Sequence, residues 1–146
     1  MGRLLAEEIG STFRDTDADV EKLAGKDISD IFLDDGEACF RAWEETAVAD
    51  ALEGRDGVVS LGGGAILSAA TRERLRGLRV VFLSVSAAEA ARRVGLSAPR
   101  PVLGLNPRAD LAQLMAERLP LYEGVSAVTV DTTGRTAEEI VALLVQ

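Results

Sequence analysis

Val58-Val59-Ser60-Leu61-Gly62-Gly63-Gly64-Ala65 is the stretch that decides the fold. A short apolar run opens on two β-branched valines and ends in three consecutive glycines. A run this short, bounded by turn residues, reads as a buried strand. The glycines leave the backbone open, so a ligand can approach it closely and its N–H groups can bind oxygen-rich chemistry. In open α/β sheets, ligands bind at the carboxyl ends of strands, which is where this loop sits. The competing reading is a tight strand–helix turn, which seldom needs three glycines.

Upstream, residues 37–53 (EACFRAWEETAVADALE) read as the strongest helix, with Ala38, Trp43, Val48 and Leu52 among its apolar positions and Gly54 closing it. Before it, Ser29-Asp30-Ile31-Phe32 begins a short helical stretch. A helix over 18–24 is stopped by Gly25, an acidic turn holds Asp15-Thr16-Asp17, and a short helix over 3–9 is ended by Gly10. Downstream, the pattern predicts a helix over 69–76, a strand at Val80-Val81-Phe82-Leu83 and a helix over 86–93. A long mobile loop over 95–109 follows, rich in glycine and proline, then a helix over 110–119, a strand over 126–130 and a helix over 136–145. Strands separated by helices predict an α/β protein, a three-layer parallel sheet with helices on both faces. No repeat or linker interrupts it, and a single domain over 1–146 is expected.

Composition narrows the chemistry. The 146 residues are 47% apolar, a globular value, and carry a net charge of −8, which disfavours nucleic acid and anionic membranes as partners. Of the 16 basic residues 14 are arginine, which suits bidentate recognition of carboxylate and phosphate, although a high-GC genome also favours arginine. The lone Cys39 excludes an intrachain disulfide and reads as a small hydrophobe beside Ala38 and Phe40. The absence of histidine excludes a Ser-His-Asp triad, a histidine-held zinc and a histidine base. No run reaches the roughly 20 apolar residues of a membrane span. The start has no signal-peptide core, so the cytoplasm is expected.

Several small constellations carry chemistry. Asp15 and Asp17 flank a threonine, and Asp15 would equally serve as a helix cap. Arg41 and Glu44, three apart in Phe40-Arg41-x-x-Glu44-Glu45, face the same side of a helix. They are either a solvated ion pair or an arginine held for a substrate carboxylate. Arg100 lies in the long loop, either solvated or closing over a nucleotide. Arg118-x-Pro120-x-Tyr122 is placed at the end of the following helix.

The order and spacing of these elements do more than any one of them. DTD, then FRxxEE, a strand ending in LGGGA, RRxxxxxxRPxL, ERxPLY and a terminal VDTTGR together resemble the shikimate kinase family, over essentially the whole chain. The resemblance implies a nucleoside-monophosphate-kinase-like P-loop fold and transfer of the γ-phosphoryl group of ATP to the 3-hydroxyl of shikimate, with Mg²⁺. It implies that Asp17 holds the substrate hydroxyls and polarises the attacking one. Arg41, oriented by Glu44, and Arg118 would grip the carboxylate. Gly62, Gly63 and Gly64 would line the pocket, and Phe32 and Phe40 would wall it, giving a substrate-binding region of about 15–64. Asp15 would contact Mg²⁺ through water, and Arg100 would be the lid arginine that reaches the phosphates. Arg93 would lie against the adenine and Arg135 would approach the nucleotide. Some relatives carry a proline near the adenine, where this chain has Thr136-Ala137.

One element of the family is not in these residues. No G-x-x-x-x-G-K-[ST] string occurs, and the only lysines are Lys22 and Lys26. The resemblance begins just past that loop, so the fold is expected to lack its first strand, and the 146 residues by themselves are expected to be unstable and inactive. Two readings of the gap stand open. A start codon assigned too far downstream is favoured, because every substrate motif is kept; a genuine truncation is the other. A monomer is expected of the full-length protein. A non-catalytic shikimate-binding module is the alternative function.

Overall fold

A computed structural model describes residues 1–54, 57–94 and 107–146. Its elements run α1 (Gly2–Glu8), β1 (Phe13–Asp15), α2 (Thr16–Ala24), α3 (Ile28–Asp35), α4 (Glu37–Glu53), β2 (Val58–Ser60), a 3₁₀ turn (Ala65–Leu67), α5 (Ala69–Leu75), β3 (Val81–Ser84), α6 (Ala87–Val94), α7 (Pro107–Val125), β4 (Val128–Asp131) and α8 (Ala137–Leu144). They divide into two compact units, Met1–Arg76 with Ala137–Gln146, and Gly77–Thr136.

In the first unit β1 and β2 pair in parallel, from Phe13↔Val58 to Asp15↔Ser60. Helix α4 keeps the span that its pattern predicts, because glycines stand at both ends and its apolar stripe has a partner surface. Phe40 and Ala47 from α4 join Val20 of α2 and Ile31 of α3 in a buried core, with Phe32 and Trp43 packed against it. α8 packs on α1 in the same unit.

In the second unit β3 and β4 pair in parallel, from Val81↔Val128 to Ser84↔Asp131. The Tyr122 ring of α7 stacks on Phe82 of β3, with centroids 4.7 Å apart.

The parallel α/β class is the one expected, but several particulars differ. The strands of the described residues pair as two two-stranded parallel ladders. A two-stranded ladder leaves one edge of each strand unpaired. Accordingly Val58, Val59 and Ser60 are half-buried, where the apolar run suggested full burial. The expected acidic turn is instead the end of β1 and the first turn of α2. Phe13-Arg14-Asp15 is too short and too charged to show a strand period. The loop expected to extend to residue 109 ends earlier, since α7 begins at Pro107; proline suits the first turn of a helix because its missing N–H has no helical acceptor there. α7 also runs past residue 119 to Val125, with Pro120 inside it. Residues 95–106 of the predicted loop lie outside the described residues.

Candidate active site

The first unit gathers one cluster around the start of α2, the middle of α4 and the glycine loop. Asp15 ends β1 in extended conformation and caps α2, its Oδ1 accepting the Asp17 N–H at 3.0 Å. The cap turns the chain so that Asp17 falls in the first helical turn. There Asp17 Oδ1 is buried and has no hydrogen-bond partner among the described residues. Burial pushes the Asp17 carboxyl above its ordinary value; the nearby Asp15 and Glu21 charges push the same way, and Arg41 opposes them. A buried carboxylate with an open acceptor and raised proton affinity is suited to take a hydrogen bond from a ligand hydroxyl.

Arg41 and Glu44 form an ion pair. Arg41 Nη1 donates to Glu44 Oε1 at 2.9 Å, and Glu44 is only 4% exposed, so this is no solvated surface pair. Nη2 reaches Glu37 Oε1 at a looser 3.4 Å. The Arg41 Nε is buried and unpartnered among the described residues, and the guanidinium carbon lies 5.2 Å from the centre of the Phe40 ring. Phe40 in turn packs against Phe32, with centroids 4.7 Å apart.

The glycine loop closes on both groups. A Cβ on Gly62 would stand 3.0 Å from Asp17 Oδ1 and 3.2 Å from Glu44 Oε2. A Cβ on Gly64 would stand 2.6 Å from the Arg41 guanidinium carbon. The side chains pressed against the loop leave no free room for a Cβ at Gly62 or Gly64. Gly63 sits between them. The far end of the loop is tied to α4, since Ser68 Oγ donates to Glu45 Oε2 at 3.1 Å, and to α5, since Arg72 Nη1 donates to the Ile66 carbonyl at 2.7 Å. No local signal marks the Ser68–Glu45 pair, because the partners are 23 residues apart.

The second unit holds Arg93, Arg118 and Arg135, the first and last of which lie near one turn. Arg93 Nη1 and Nη2 donate to Thr132 Oγ1 at 3.1 Å and to the Thr132 carbonyl at 2.9 Å, and Nη2 also donates to Glu89 Oε1 at 2.8 Å. Glu89 Oε2 accepts the Gly134 N–H at 2.8 Å, and the Arg135 N–H donates to the Thr132 carbonyl at 3.0 Å. Glu89 thus staples α6 to the turn after β4, a role that the sequence reading missed. Arg118 lies within α7 and its Nε is buried without a partner among the described residues. Arg100 lies outside the described residues.

The staple gives a pH prediction. The Gly134 N–H, helped by Arg93, holds the Glu89 carboxyl below its ordinary range, and the Thr133 N–H does the same for Asp131. A carboxylate with a depressed folded pKa contributes stability above its unfolded pKa and loses it as the pH falls through the folded value. The melting midpoint of the second unit therefore declines as the pH drops below about 4.3, and Glu89→Gln flattens part of that acid limb. Circular dichroism melts across this range check it; an identical acid limb in the variant contradicts it.

Among the described residues no group of three or more Asp, Glu, Cys or His side chains is placed to hold a metal ion. Magnesium is often held by one or two protein carboxylates together with water and substrate phosphates, so Asp15 alone fits an Mg²⁺ contact of that kind. No described helix is long and apolar enough to cross a membrane.

A parallel α/β scaffold that brings a half-buried carboxylate, a held guanidinium and a glycine loop together suits a small, oxygen-rich, carboxylate-bearing ligand. The shikimate kinase family model matches residues 1–146. The shikimate kinase of Thermobifida fusca is 53% identical over 144 residues, covering 99% of this chain and 84% of that protein. That of Salinispora arenicola is 54% identical over 140 residues, covering 96% and 84%. The structure of shikimate kinase from Acinetobacter baumannii in complex with shikimate is 34% identical, with a TM-score of 0.92 over 99% of this chain and 82% of that one. The enzyme from Aquifex aeolicus is 28% identical, with a TM-score of 0.85. The chain belongs to the shikimate kinase family, whose members are ATP-dependent small-molecule kinases.

Proposed function

We propose that this chain binds shikimate through Asp17, Arg41, Glu44 and the Gly62–Gly64 loop, and serves the transfer of the ATP γ-phosphoryl group to the 3-hydroxyl. The observation that carries the reading is the pair of buried polar atoms left unpartnered in one cluster, Asp17 Oδ1 and Arg41 Nε. Buried polar atoms are ordinarily hydrogen-bonded, so a ligand with hydroxyls and a carboxylate answers both. Arg41, held by Glu44, pairs with the carboxylate, and Arg118 supplies the second guanidinium. Gly63 offers a backbone donor to the substrate.

In the reaction the 3-hydroxyl oxygen attacks the γ-phosphorus, the bond to the β-phosphate oxygen breaks, and ADP leaves. Asp17 orients the hydroxyl and accepts its proton, to which its raised proton affinity is suited. Phosphoryl transfer depends on positioning and charge neutralisation more than on a strong base, so a chain without histidine is no obstacle. Arg93, Arg100 and Arg135 are proposed to serve the nucleotide. Mg²⁺, when bound, neutralises phosphate charge, and Asp15 would hold it through water. A cytoplasmic location and the single-domain organisation belong to the same proposal. ATP as co-substrate supports the first, and one family model running across both units supports the second.

Calorimetry with shikimate and no ATP tests the binding. The wild-type chain is expected to bind, and Arg41→Ala or Arg118→Ala to lose at least about 30-fold in affinity, since truncating one partner of a desolvated charge pair costs about 2–5 kcal/mol. An absent heat in the wild type, or unchanged affinity in both variants, overturns the reading.

A further inference from the structure

Thr16 stands between the two aspartates and is 0% exposed. Its Oγ1 donates to the Ser60 carbonyl at 3.1 Å. The position of that bond gives it meaning. The β1–β2 ladder ends at the pair Asp15↔Ser60. At the next residue the backbone turns into α2, so a main-chain N–H no longer continues along the strand. The Thr16 hydroxyl supplies a donor there instead, one step beyond the last paired residue. It joins the first residue of α2 to the last residue of β2.

Both joined segments lead directly into the ligand cluster. One residue after Thr16 comes Asp17; two residues after Ser60 comes Gly62. These two nearly touch, with the Gly62 Cβ position 3.0 Å from Asp17 Oδ1. The separation between the carboxylate and the glycine backbone is therefore set by how α2 leaves the sheet. Two ties fix it, the short ladder and the Thr16 bond. The ladder alone has three paired positions, so a buried side-chain bond at its end is a large part of the fixation.

We infer that Thr16 is a positioning residue, whose buried hydroxyl sets the Asp17 carboxylate against the Gly62 backbone and so fixes the width of the substrate-hydroxyl site. The inference rests on the proposed binding of shikimate at Asp17. A threonine is suited because its hydroxyl makes the bond while its methyl fills buried space. Valine keeps the shape and removes the donor; serine keeps the donor and removes the methyl.

The test uses these 146 residues extended on the N-terminal side by a strand ending in G-x-x-x-x-G-K-[ST], with Thr16→Val, Thr16→Ser and Val20→Ala. Val20 is equally buried, one turn further along α2, and packs in the core of α2, α3 and α4. Shikimate affinity is expected to fall about ten-fold in Thr16→Val, because small misplacements of positioned groups are costly. Thr16→Ser is expected to stay within about two-fold of wild type, and Val20→Ala to lower the melting midpoint without that loss of affinity. Backbone amide spectra of the free chain give a readout independent of shikimate: the Asp17 and Gly62 resonances move in Thr16→Val and hold in Thr16→Ser. Unmoved resonances in Thr16→Val overturn the inference whether or not shikimate binds. So does wild-type affinity in Thr16→Val, equal loss in Thr16→Ser, or a loss in Val20→Ala matching that of Thr16→Val. Moved resonances with no shikimate binding by the wild type leave the positioning in place and overturn the functional reading instead.

Discussion

Gly64→Ala loses shikimate binding by about 50-fold or more while the chain keeps its melting midpoint within a few degrees, in keeping with the ~2–5 kcal/mol cost of displacing one member of a desolvated charge pair. The backbone at Gly64, φ −92° and ψ −1°, is open to any residue, so alanine is not strained there. The conflict is with one side chain. The added Cβ would stand 2.6 Å from the Arg41 guanidinium carbon, closer than atoms approach, and closer still to Nη1. The loop is anchored at its far end by Ser68–Glu45 and Arg72–Ile66, whereas the tip of an arginine moves at little cost. The fork therefore swings away, and its 2.9 Å bond to Glu44 is re-aimed with it. A methyl group thus removes the carboxylate-binding geometry without removing a single polar atom. Gly62→Ala should be milder, because its Cβ would meet Asp17 and Glu44 oxygens at 3.0 and 3.2 Å, an overlap that a few tenths of an ångström relieve. Calorimetry with shikimate beside thermal melts checks both. Undiminished binding by Gly64→Ala would mean that Arg41 does not grip the ligand from its observed place.

The same glycines show how much of the site was legible in the sequence. Three of them after an apolar run mark a place where something approaches the backbone. The run does not say that the approaching groups include the protein's own Asp17, Glu44 and Arg41. That needs the fold, because Gly62 and Asp17 are far apart in the chain. Helix α4 was readable to its ends, since seventeen residues of apolar stripe between Gly36 and Gly54 leave little choice. β1 was not readable: three residues carry no period, and what makes them a strand is β2 beside them. Likewise Pro120 looks like a helix end, yet α7 continues for five residues beyond it to Val125. Loss of one backbone bond at a proline is a local cost, and tertiary packing such as Tyr122 on Phe82 opposes it. Arg93 gives the opposite lesson. Its side chain lies near the turn after β4, where three hydrogen bonds to Glu89 and Thr132 hold its edge, which no spacing announces.

A polypeptide of these 146 residues alone is expected to release no ADP above background with shikimate and MgATP, a loss of more than about 10³ relative to the full-length relatives, given the scale of charge stabilisation in phosphoryl transfer. On the proposed reading the acceptor half of the reaction uses Asp17 for the hydroxyl, Arg41 with Glu44 for the carboxylate, and the glycine loop between them. The donor half demands a cradle of backbone N–H groups, a lysine on the β- and γ-phosphates and a hydroxyl on Mg²⁺. Nothing in the sequence supplies that set. Lys26 is committed to Asp35 at 2.6 Å and Asp34 at 3.4 Å, and Lys22 lies in the last turn of α2, not at a helix N-terminus where phosphate binds. The guanidinium of Arg93 is engaged in the Glu89–Thr132 network, and a single arginine does not replace a cradle. The expectation is therefore divided by substrate: shikimate binds and ATP is not turned over. A coupled ADP-release assay, run beside shikimate calorimetry on the same preparation, measures both. Extending the chain on its N-terminal side with a strand that ends in G-x-x-x-x-G-K-[ST] should restore turnover without altering the acceptor residues. Turnover by the unextended polypeptide would show that the phosphates are held by residues other than a phosphate loop. An extended chain that binds shikimate but still fails to turn over would place the defect in the residues proposed to serve the nucleotide, beginning with Arg93 and Arg135.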